Sequence, residues 1–194
     1  ATVTVKPAPD VIANPTNQTI CSGYAITTIV LTGSVGGSTF DWTRDNTSNV
    51  TGIATSGSGN ISGTLTNNTN TIQLVTFTIT PTANGCGGTP ITATVTVNPE
   101  PHATASPYTQ TICSGSTIQN IALTSSVVGT TFNWTRNNTV NVTGIASSGT
   151  GNISGSLTNT TYTIQTVTFT ITPTANGCVG YPLTATVTVN PTPD

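Results

Sequence analysis

The side chains that could take part in chemistry are few in this sequence, and they recur at one spacing. Cys21 and Cys113 lie 92 residues apart, and so do Cys86 and Cys178. The two tryptophans keep the same offset, and the sequence between these positions aligns without a gap. A repeat of this length suits a self-sufficient domain, because solenoid units are only about 20–50 residues long. The spacing therefore predicts two copies of one domain.

Each copy has one pair of cysteines, which could be free thiols, metal ligands or a disulfide. A zinc site needs four ligands, and the chain has a single histidine, so a metal site is disfavoured. We expect the disulfides Cys21–Cys86 and Cys113–Cys178, and with them an oxidising compartment. Each bond would close a loop of about 65 residues, which stabilises a fold by roughly 4 kcal/mol in the chain-entropy model.

Enzymatic chemistry is not expected from this sequence. A nucleophile needs a base beside it, and the only histidine, His102, is replaced by Asp10 in the other copy. We therefore expect no catalytic residue and no cofactor. Calcium is the one cation left open, at a site built mainly from backbone and Asn oxygens, since hard cations prefer clustered carboxylates. The acidic residues, which form no such cluster in the sequence, are Asp10, Asp41, Asp45, Glu100 and Asp194.

Aromatic residues alternate with polar ones in each copy, which predicts the buried face of a strand. A tryptophan in the middle of a sandwich packs in the core more often than it forms a platform for sugars. The expected core aromatics are Phe40, Trp42, Phe77, Phe132, Trp134 and Phe169. Arg44 and Arg136 end the tryptophan strand in both copies. We expect them to bind loop carbonyls, or in the first copy Asp41 and Asp45, rather than a ligand.

The elements that must position these residues are strands. Apolar residues alternate with threonine, as in Val75-Thr76-Phe77-Thr78-Ile79-Thr80, and the β-branched threonine favours extended backbone. About seven such strands per copy, with no convincing helix, predict an all-β fold of tandem immunoglobulin-like sandwiches. Only 4% of the residues are charged and the net charge is -2, which excludes electrostatic binding of nucleic acid. No apolar run is long enough to predict membrane insertion.

Two prolines separate the copies and set the expected boundaries. The segment Asn98-Pro99-Glu100-Pro101 is predicted to be a short, semi-rigid linker. We expect residues 1–10 to be the last strand and linker of a preceding repeat, 11–99 and 100–191 to be the two domains, and 192–194 to begin the next linker. The first residues could pair with another chain by strand addition. This candidate inter-chain strand consists of Ala1, Thr2, Val3, Thr4 and Val5.

Four blocks of sequence recur in the same order in both copies. They lie at residues 19–23, 39–43, 78–86 and 94–99, and again at 111–115, 131–135, 170–178 and 186–191. These blocks resemble the PKD-like repeat of very large secreted surface proteins of Bacteroidota, including gliding-motility adhesins. The resemblance implies an immunoglobulin-like sandwich, export to the cell surface by a type IX-like route and a part in adhesion, with no catalytic residues. Better-known PKD domains have a Trp-Asp-Phe-Gly-Asp-Gly block, and Phe40-Asp41-Trp42-Thr43-Arg44 departs from it, so the resemblance concerns the fold and not a site.

These features together predict a structural role outside the cell. We expect a disulfide-stapled stalk of a secreted bacterial adhesin, which spaces an adhesive tip and has neighbouring repeats of the same protein as partners. A self-assembling extracellular fibre with homopolymer contacts is the alternative. A carbohydrate-binding module with surface glycans as ligands is a third candidate. Its exposed aromatics would be residues that do not recur between the copies, namely Tyr24, Tyr108, Tyr162 and Tyr181.

Overall fold

A computed structural model describes residues 1–193 of the chain. These residues form strands joined by turns, with no helix among them, so the predicted all-β fold is confirmed. The chain divides into two compact units, Ala1–Pro99 and Glu100–Asp194, which are called module 1 and module 2 below. Asp194, assigned above to a further linker, lies outside the described residues.

Eleven strands lie in the described part of module 1, more than the seven expected, because several are only two or three residues long. They are β1 Ile12–Asn14, β2 Asn17–Cys21, β3 Tyr24–Ala25, β4 Val30–Thr32, β5 Thr39–Arg44, β6 Val50–Gly52, β7 Ser56–Ser58, β8 Thr64–Asn67, β9 Gln73–Ala83, β10 Cys86–Gly87 and β11 Ile91–Asn98.

Module 2 repeats this pattern over residues 100–193, without a counterpart of β3. Its strands are β12 Thr104–Ser106, β13 Thr109–Cys113, β14 Ala122–Thr124, β15 Thr131–Arg136, β16 Val142–Gly144, β17 Ser148–Thr150, β18 Leu157–Asn159, β19 Gln165–Ala175, β20 Cys178–Val179 and β21 Leu183–Asn190.

Each module is a sandwich with one large sheet. In module 1 the strand order of that sheet is β2-β11-β9-β5-β7, with β10 on β9, and the other layer contains the pair β1-β4 and the sheet β3-β8-β6. Module 2 has the equivalent order β13-β21-β19-β15-β17, with the pairs β12-β14 and β16-β18 opposite. An isolated bridge from Ile29 to Ile61 links the smaller pieces of module 1. Two small sheets therefore act together as the second layer.

The strands that begin and end a module pair with each other in parallel. Strand β2 pairs with β11 over five residue pairs, from Asn17 opposite Thr94 to Cys21 opposite Asn98. Two backbone bonds extend the ladder, since Thr94 N donates to Thr16 O and Ser22 N donates to Asn98 O, both at 2.9 Å. The first long strand and the last strand of the module are thus bonded side by side.

The core lies between the two layers and follows from the alternation in the sequence. Along β9 the inward side chains Val75, Phe77 and Ile79 are fully buried, whereas the threonines between them face outward. Ile29 and Leu65 are fully buried in the opposite layer. Burying a side chain of this size contributes about 1.5–3 kcal/mol, so each module has a core large enough for its own stability.

Residues 24–32 form two short strands rather than one continuous strand. Only Tyr24–Ala25 and Val30–Thr32 pair as strands. Between them Ile26 is buried, and its N–H donates to Gly63 O at 2.9 Å. Residues 26–29 are therefore held in the second layer by single bridging contacts and not by a continuous strand ladder. The alternation of side chains in the sequence does not distinguish these two arrangements.

Candidate functional site

The four cysteines occupy two kinds of position. Cys21 and Cys113 end the second strand of their modules, opposite Asn98 and Asn190 respectively, where the chain leaves the module. We call these two the exit cysteines. Cys86 and Cys178 begin the short strand after the hairpin turn of β9 and of β19, opposite Ala83 and Ala175. We call these two the hairpin cysteines.

The bonding state of the cysteines differs from the pairing predicted from the sequence. Cys21 and Cys178 are disulfide-bonded, whereas Cys86 and Cys113 are free thiols. The bonds Cys21–Cys86 and Cys113–Cys178 are therefore both absent.

The strand register explains why a module cannot close its own pair. Cys21 is level with Asn98, just past the pair Val97–Gln73, and Cys86 lies opposite Ala83 at the other end of β9. Ten residues of strand separate Gln73 from Ala83, which is roughly 33 Å at about 3.3 Å per residue. A disulfide needs Cα atoms within about 7 Å. The two cysteines of one module lie at opposite ends of the sandwich.

The entry segment of each module packs against its hairpin loop. The carbonyl of Pro9 lies over Gly88, where any Cβ would overlap it, and the carbonyl of Pro101 lies over Gly180 in the same way. Gly88 N in turn donates to Pro81 O at 2.9 Å. These glycines are required because the chain approaches at backbone distance. The entry chain is thereby fixed to the hairpin end of its module.

Arg44 and Arg136 bind backbone carbonyls, as predicted from the sequence. Arg44 Nε donates to Ile53 O at 2.8 Å and Ala54 O at 3.2 Å, and its Nη1 donates to Val50 O at 3.1 Å. Arg136 makes the equivalent bonds in module 2. Burial lowers the pKa of both guanidinium groups, with Asp45 opposing this at Arg44. Each arginine therefore holds the loop after its strand, and its side chain is buried rather than exposed to a ligand.

The tryptophans lie in the core and not on the surface. Trp42 and Trp134 are each 8% exposed, and their rings meet Phe77 and Phe169 edge to face at 5.7 Å. Phe40 and Phe132 are partly buried against the same cores. Stacking on a sugar needs an exposed ring face, so neither tryptophan can serve as a platform.

A glycine opposite Trp42 makes room for its ring. Trp42 pairs with Gly57 across β5 and β7, and a Cβ at Gly57 would overlap the indole. Trp42 Nε1 donates to Gly59 O at 3.1 Å. The Nε1 of Trp134 is buried without an acceptor in the described chain.

A buried asparagine is the polar feature of the core that the sequence did not reveal. Asn67 Nδ2 donates to Thr71 O at 2.7 Å and to Val97 O at 2.9 Å, and its Oδ1 accepts from the N–H and hydroxyl of Thr69. Asn159 repeats this arrangement. The side chain ties the loop after β8 to the last strand. Its only signal in the sequence is that both copies have it.

No group of three or more His, Cys, Asp or Glu side chains that could hold a metal ion is found in residues 1–193. His102 is exposed on the entry segment of module 2. At the equivalent position Asp10 accepts hydrogen bonds from the backbone N and hydroxyl of Ser34, which lower its pKa. The described chain also contains no helix of the length and hydropathy needed to cross a membrane.

The remaining predicted contact residues are exposed. Val3 and Val5, in the candidate inter-chain strand, are 85% and 88% exposed and belong to none of the strands in residues 1–193. The four tyrosines proposed for sugars are all more than 60% exposed, and they are Tyr24, Tyr108, Tyr162 and Tyr181. No two of them occupy equivalent positions in the two modules.

A family model confirms the PKD-like character of the repeat. The PKD-like domain family matches residues 18–101 and again residues 110–193. One match falls in each module, and together they cover most of the chain. The chain therefore belongs to the PKD-like domain family. No curated protein sequence matches it.

Several solved structures have folds similar to that of this chain. Mouse cadherin-23 EC22-24 matches with a TM-score of 0.50 at 12% identity, covering 96% of this chain and 67% of that one. Human protocadherin-24 EC1-2 has a TM-score of 0.47 at 13% identity, with 97% and 100% covered. The DIP-gamma IG1+IG2 pair has a TM-score of 0.47 at 8% identity, with 97% and 99% covered. At these identities the likeness concerns the fold alone.

Proposed function

We propose that this chain is a non-enzymatic segment of a secreted bacterial surface adhesin, in which the modules act in series as a stalk that spaces an adhesive tip from the cell. The observation that carries the proposal is the parallel pairing of the first long strand with the last one in each module. This pairing links five residue pairs in module 1 and five in module 2.

The two ends of the chain leave a module in opposite directions. The entry segment is fixed at the hairpin end, beside Gly88, and the exit is at Asn98, level with the far end of β9. Tension on the chain pulls β2 towards the hairpin end and β11 towards the exit. The hydrogen bonds between these strands are then loaded in shear, and they must yield together rather than one at a time. Resistance to forced unfolding depends on the unfolding rate, which this arrangement lowers.

The outer surface of the modules is suited to a spacer surrounded by water. Threonine on the outer face of β9 supplies hydroxyl groups that stay hydrated without charge, at Thr76, Thr78 and Thr80. A disulfide is typical of an oxidising compartment, which supports a location outside the cytoplasm. The resemblance to Bacteroidota repeats supports a location at the bacterial surface and export by a type IX-like route.

Electron microscopy of the protein in its native setting tests this function. Isolated thin strings of beads, anchored at the cell surface, are the expected result. Antibodies against the two modules should label the length of the strings and not their tips. Labelling confined to the cell interior, or to the tips, would contradict a stalk.

One observation favours a fibre as the second candidate. The exposed segment of residues 1–5 has the same sequence, Ala-Thr-Val-Thr-Val, as residues 93–97 of β11, and β11 pairs on both sides within its sheet. Such a segment could add to another chain in place of that strand. Ordered filaments that disappear when Val3 and Val5 are replaced by lysine would support the fibre over the stalk.

A further inference from the structure

Each kind of cysteine is bonded in one module and free in the other. The bonded cysteines are the exit cysteine Cys21 and the hairpin cysteine Cys178. The free ones are the hairpin cysteine Cys86 and the exit cysteine Cys113. The chain thus keeps one free thiol of each kind, at the positions where the other module has a bonded one.

The free thiols are placed to react. Cys113 is exposed and Cys86 is partly exposed, whereas the bonded hairpin cysteine Cys178 is 2% exposed. Cys86 follows a tight turn in which Asn84 and Gly85 both have positive φ, 53° and 78°. This turn projects from the end of the sheet, and its cysteine can meet another molecule without distortion of the core.

A bond within the module is excluded for either free thiol. In module 1 the exit and hairpin positions are roughly 33 Å apart along β9, and module 2 has the same register. In each module the only other cysteine is already bonded. A partner must therefore present its cysteine from another module.

We propose that Cys113 and Cys86 are complementary halves of an end-to-end disulfide, by which the exit of one copy of this chain is bonded to the hairpin end of the next. The partner is a second copy of this chain, because each copy supplies one free exit cysteine and one free hairpin cysteine. The inference goes beyond the stalk function and does not depend on it. A stalk needs no such bond, and the bond forms equally in a fibre.

The oxidant is a low-molecular-weight disulfide such as oxidised glutathione. The thiolate of Cys86 attacks one sulfur of this disulfide, forms a mixed disulfide and releases one small thiol. The thiolate of Cys113 on the second copy then attacks the Cys86 sulfur and releases the second small thiol. One protein disulfide forms, one small disulfide is consumed, and the two protons lost by the cysteines end on the two released thiols.

Two complementary variants test the proposal in the full chain. The wild type, Cys86→Ser, Cys113→Ser and an equimolar mixture of the two variants are incubated with oxidised glutathione and separated by non-reducing electrophoresis. The wild type should form a ladder of dimers, trimers and longer species that collapses on reduction. Each variant alone should lose the ladder and remain monomeric, and the mixture should stop at a dimer. Unchanged melting temperatures of both variants provide the folding control.

Mapping of the dimer by mass spectrometry identifies the bond. Chymotrypsin cleavage after Phe77, Tyr108 and Leu123 places Cys86 and Cys113 in separate peptides, and these two peptides should be joined in the dimer. The proposal is overturned if the single variants dimerise as much as their mixture, if the peptides joined are two copies of one kind, or if both thiols stay free.

Discussion

Replacement of Arg44 by methionine should destabilise module 1 and leave module 2 unchanged. Methionine keeps much of the aliphatic length but donates no hydrogen bonds. Arg44 donates to the buried carbonyls of Ile53 and Val50 at 2.8 and 3.1 Å, and both would lose their partner. An unsatisfied buried acceptor costs about 1–3 kcal/mol. We therefore expect Arg44→Met to lower the free energy of unfolding of module 1 by about 3–4 kcal/mol.

The two tryptophans allow each module to be followed separately. With Trp134 replaced by phenylalanine, urea unfolding followed by fluorescence reports module 1 through Trp42 alone. A loss of about 3 kcal/mol at a slope of about 1–2 kcal/mol per molar urea moves the midpoint down by roughly 1.5–3 M. Arg136→Met, followed through Trp134 in a Trp42→Phe background, is the matched variant and should show the same shift in module 2.

The variant Arg44→Lys distinguishes the contribution of the positive charge from that of the hydrogen-bond geometry. A single ammonium group keeps the charge but cannot reproduce the fork of Nε and Nη1, so Arg44→Lys should lie between the wild type and Arg44→Met. Stability of Arg44→Met within about 1 kcal/mol of the wild type would refute the view that this side chain secures the loop.

Three further predictions concern other positions. Gly57→Ala should destabilise module 1 by about 1–3 kcal/mol, the usual cost of overpacking, because its Cβ would overlap Trp42. Gly36→Ala is the control, because a Cβ at Gly36 meets nothing within 4 Å. Equal urea midpoints for the two variants would contradict the steric argument. The lowered pKa of Asp10 means that its ionised form stabilises the fold above the unfolded pKa, and that this contribution is lost as the pH falls through the folded pKa. Asp10→Asn should therefore flatten the acid limb of module 1 stability as the pH falls below the ordinary pKa of an aspartate, and an unchanged limb would show that the bonds from Ser34 contribute nothing. Asn67→Ala should cost about 2–4 kcal/mol, since it removes the buried bonds to the Val97 and Thr71 carbonyls. Hydrogen exchange should become faster in the loop after β8, and protection equal to that of the wild type would remove Asn67 from this role.

Regular alternation made the long strands predictable. The tryptophan strand that ends at Arg44 matches β5, and the alternating segment around Phe77 lies within β9. A side-chain period of two is a local property, and it survives any choice of strand partner. The buried face of each strand was therefore predictable together with its aromatic residues.

Pairing between distant strands was not predictable in the same way. Nothing in the alternation shows that β2 lies parallel to β11, and that register is what places Cys21 level with Asn98. The disulfides were expected within each module because the repeat supplies one pair of cysteines per copy. A repeat shows which positions are equivalent but not at which end of the sandwich they lie.

The buried polar positions were not predictable from the sequence, for a related reason. The chain is rich in asparagine, so the residue type did not distinguish Asn67 from the other asparagines. Its role also depends on the carbonyl of Val97, which is thirty residues away in the sequence. Arg44 was easier to interpret, because a lone basic residue at the end of a core strand has few partners besides loop carbonyls. Residues with a local explanation were predictable, and those that join distant strands were not.

Forced unfolding of single molecules tests the central claim, that the modules are built to transmit tension. With a thiol reductant present, force applied at the two termini should unfold each module in one step that releases roughly 270 Å, from extended chain at about 3.5 Å per residue less the folded length. Force applied between Gly23 and the C-terminus of an isolated module 1 peels β2 from β11 at the exit end and should require a lower force. Equal forces in the two geometries, or a lower force along the termini, would contradict the account.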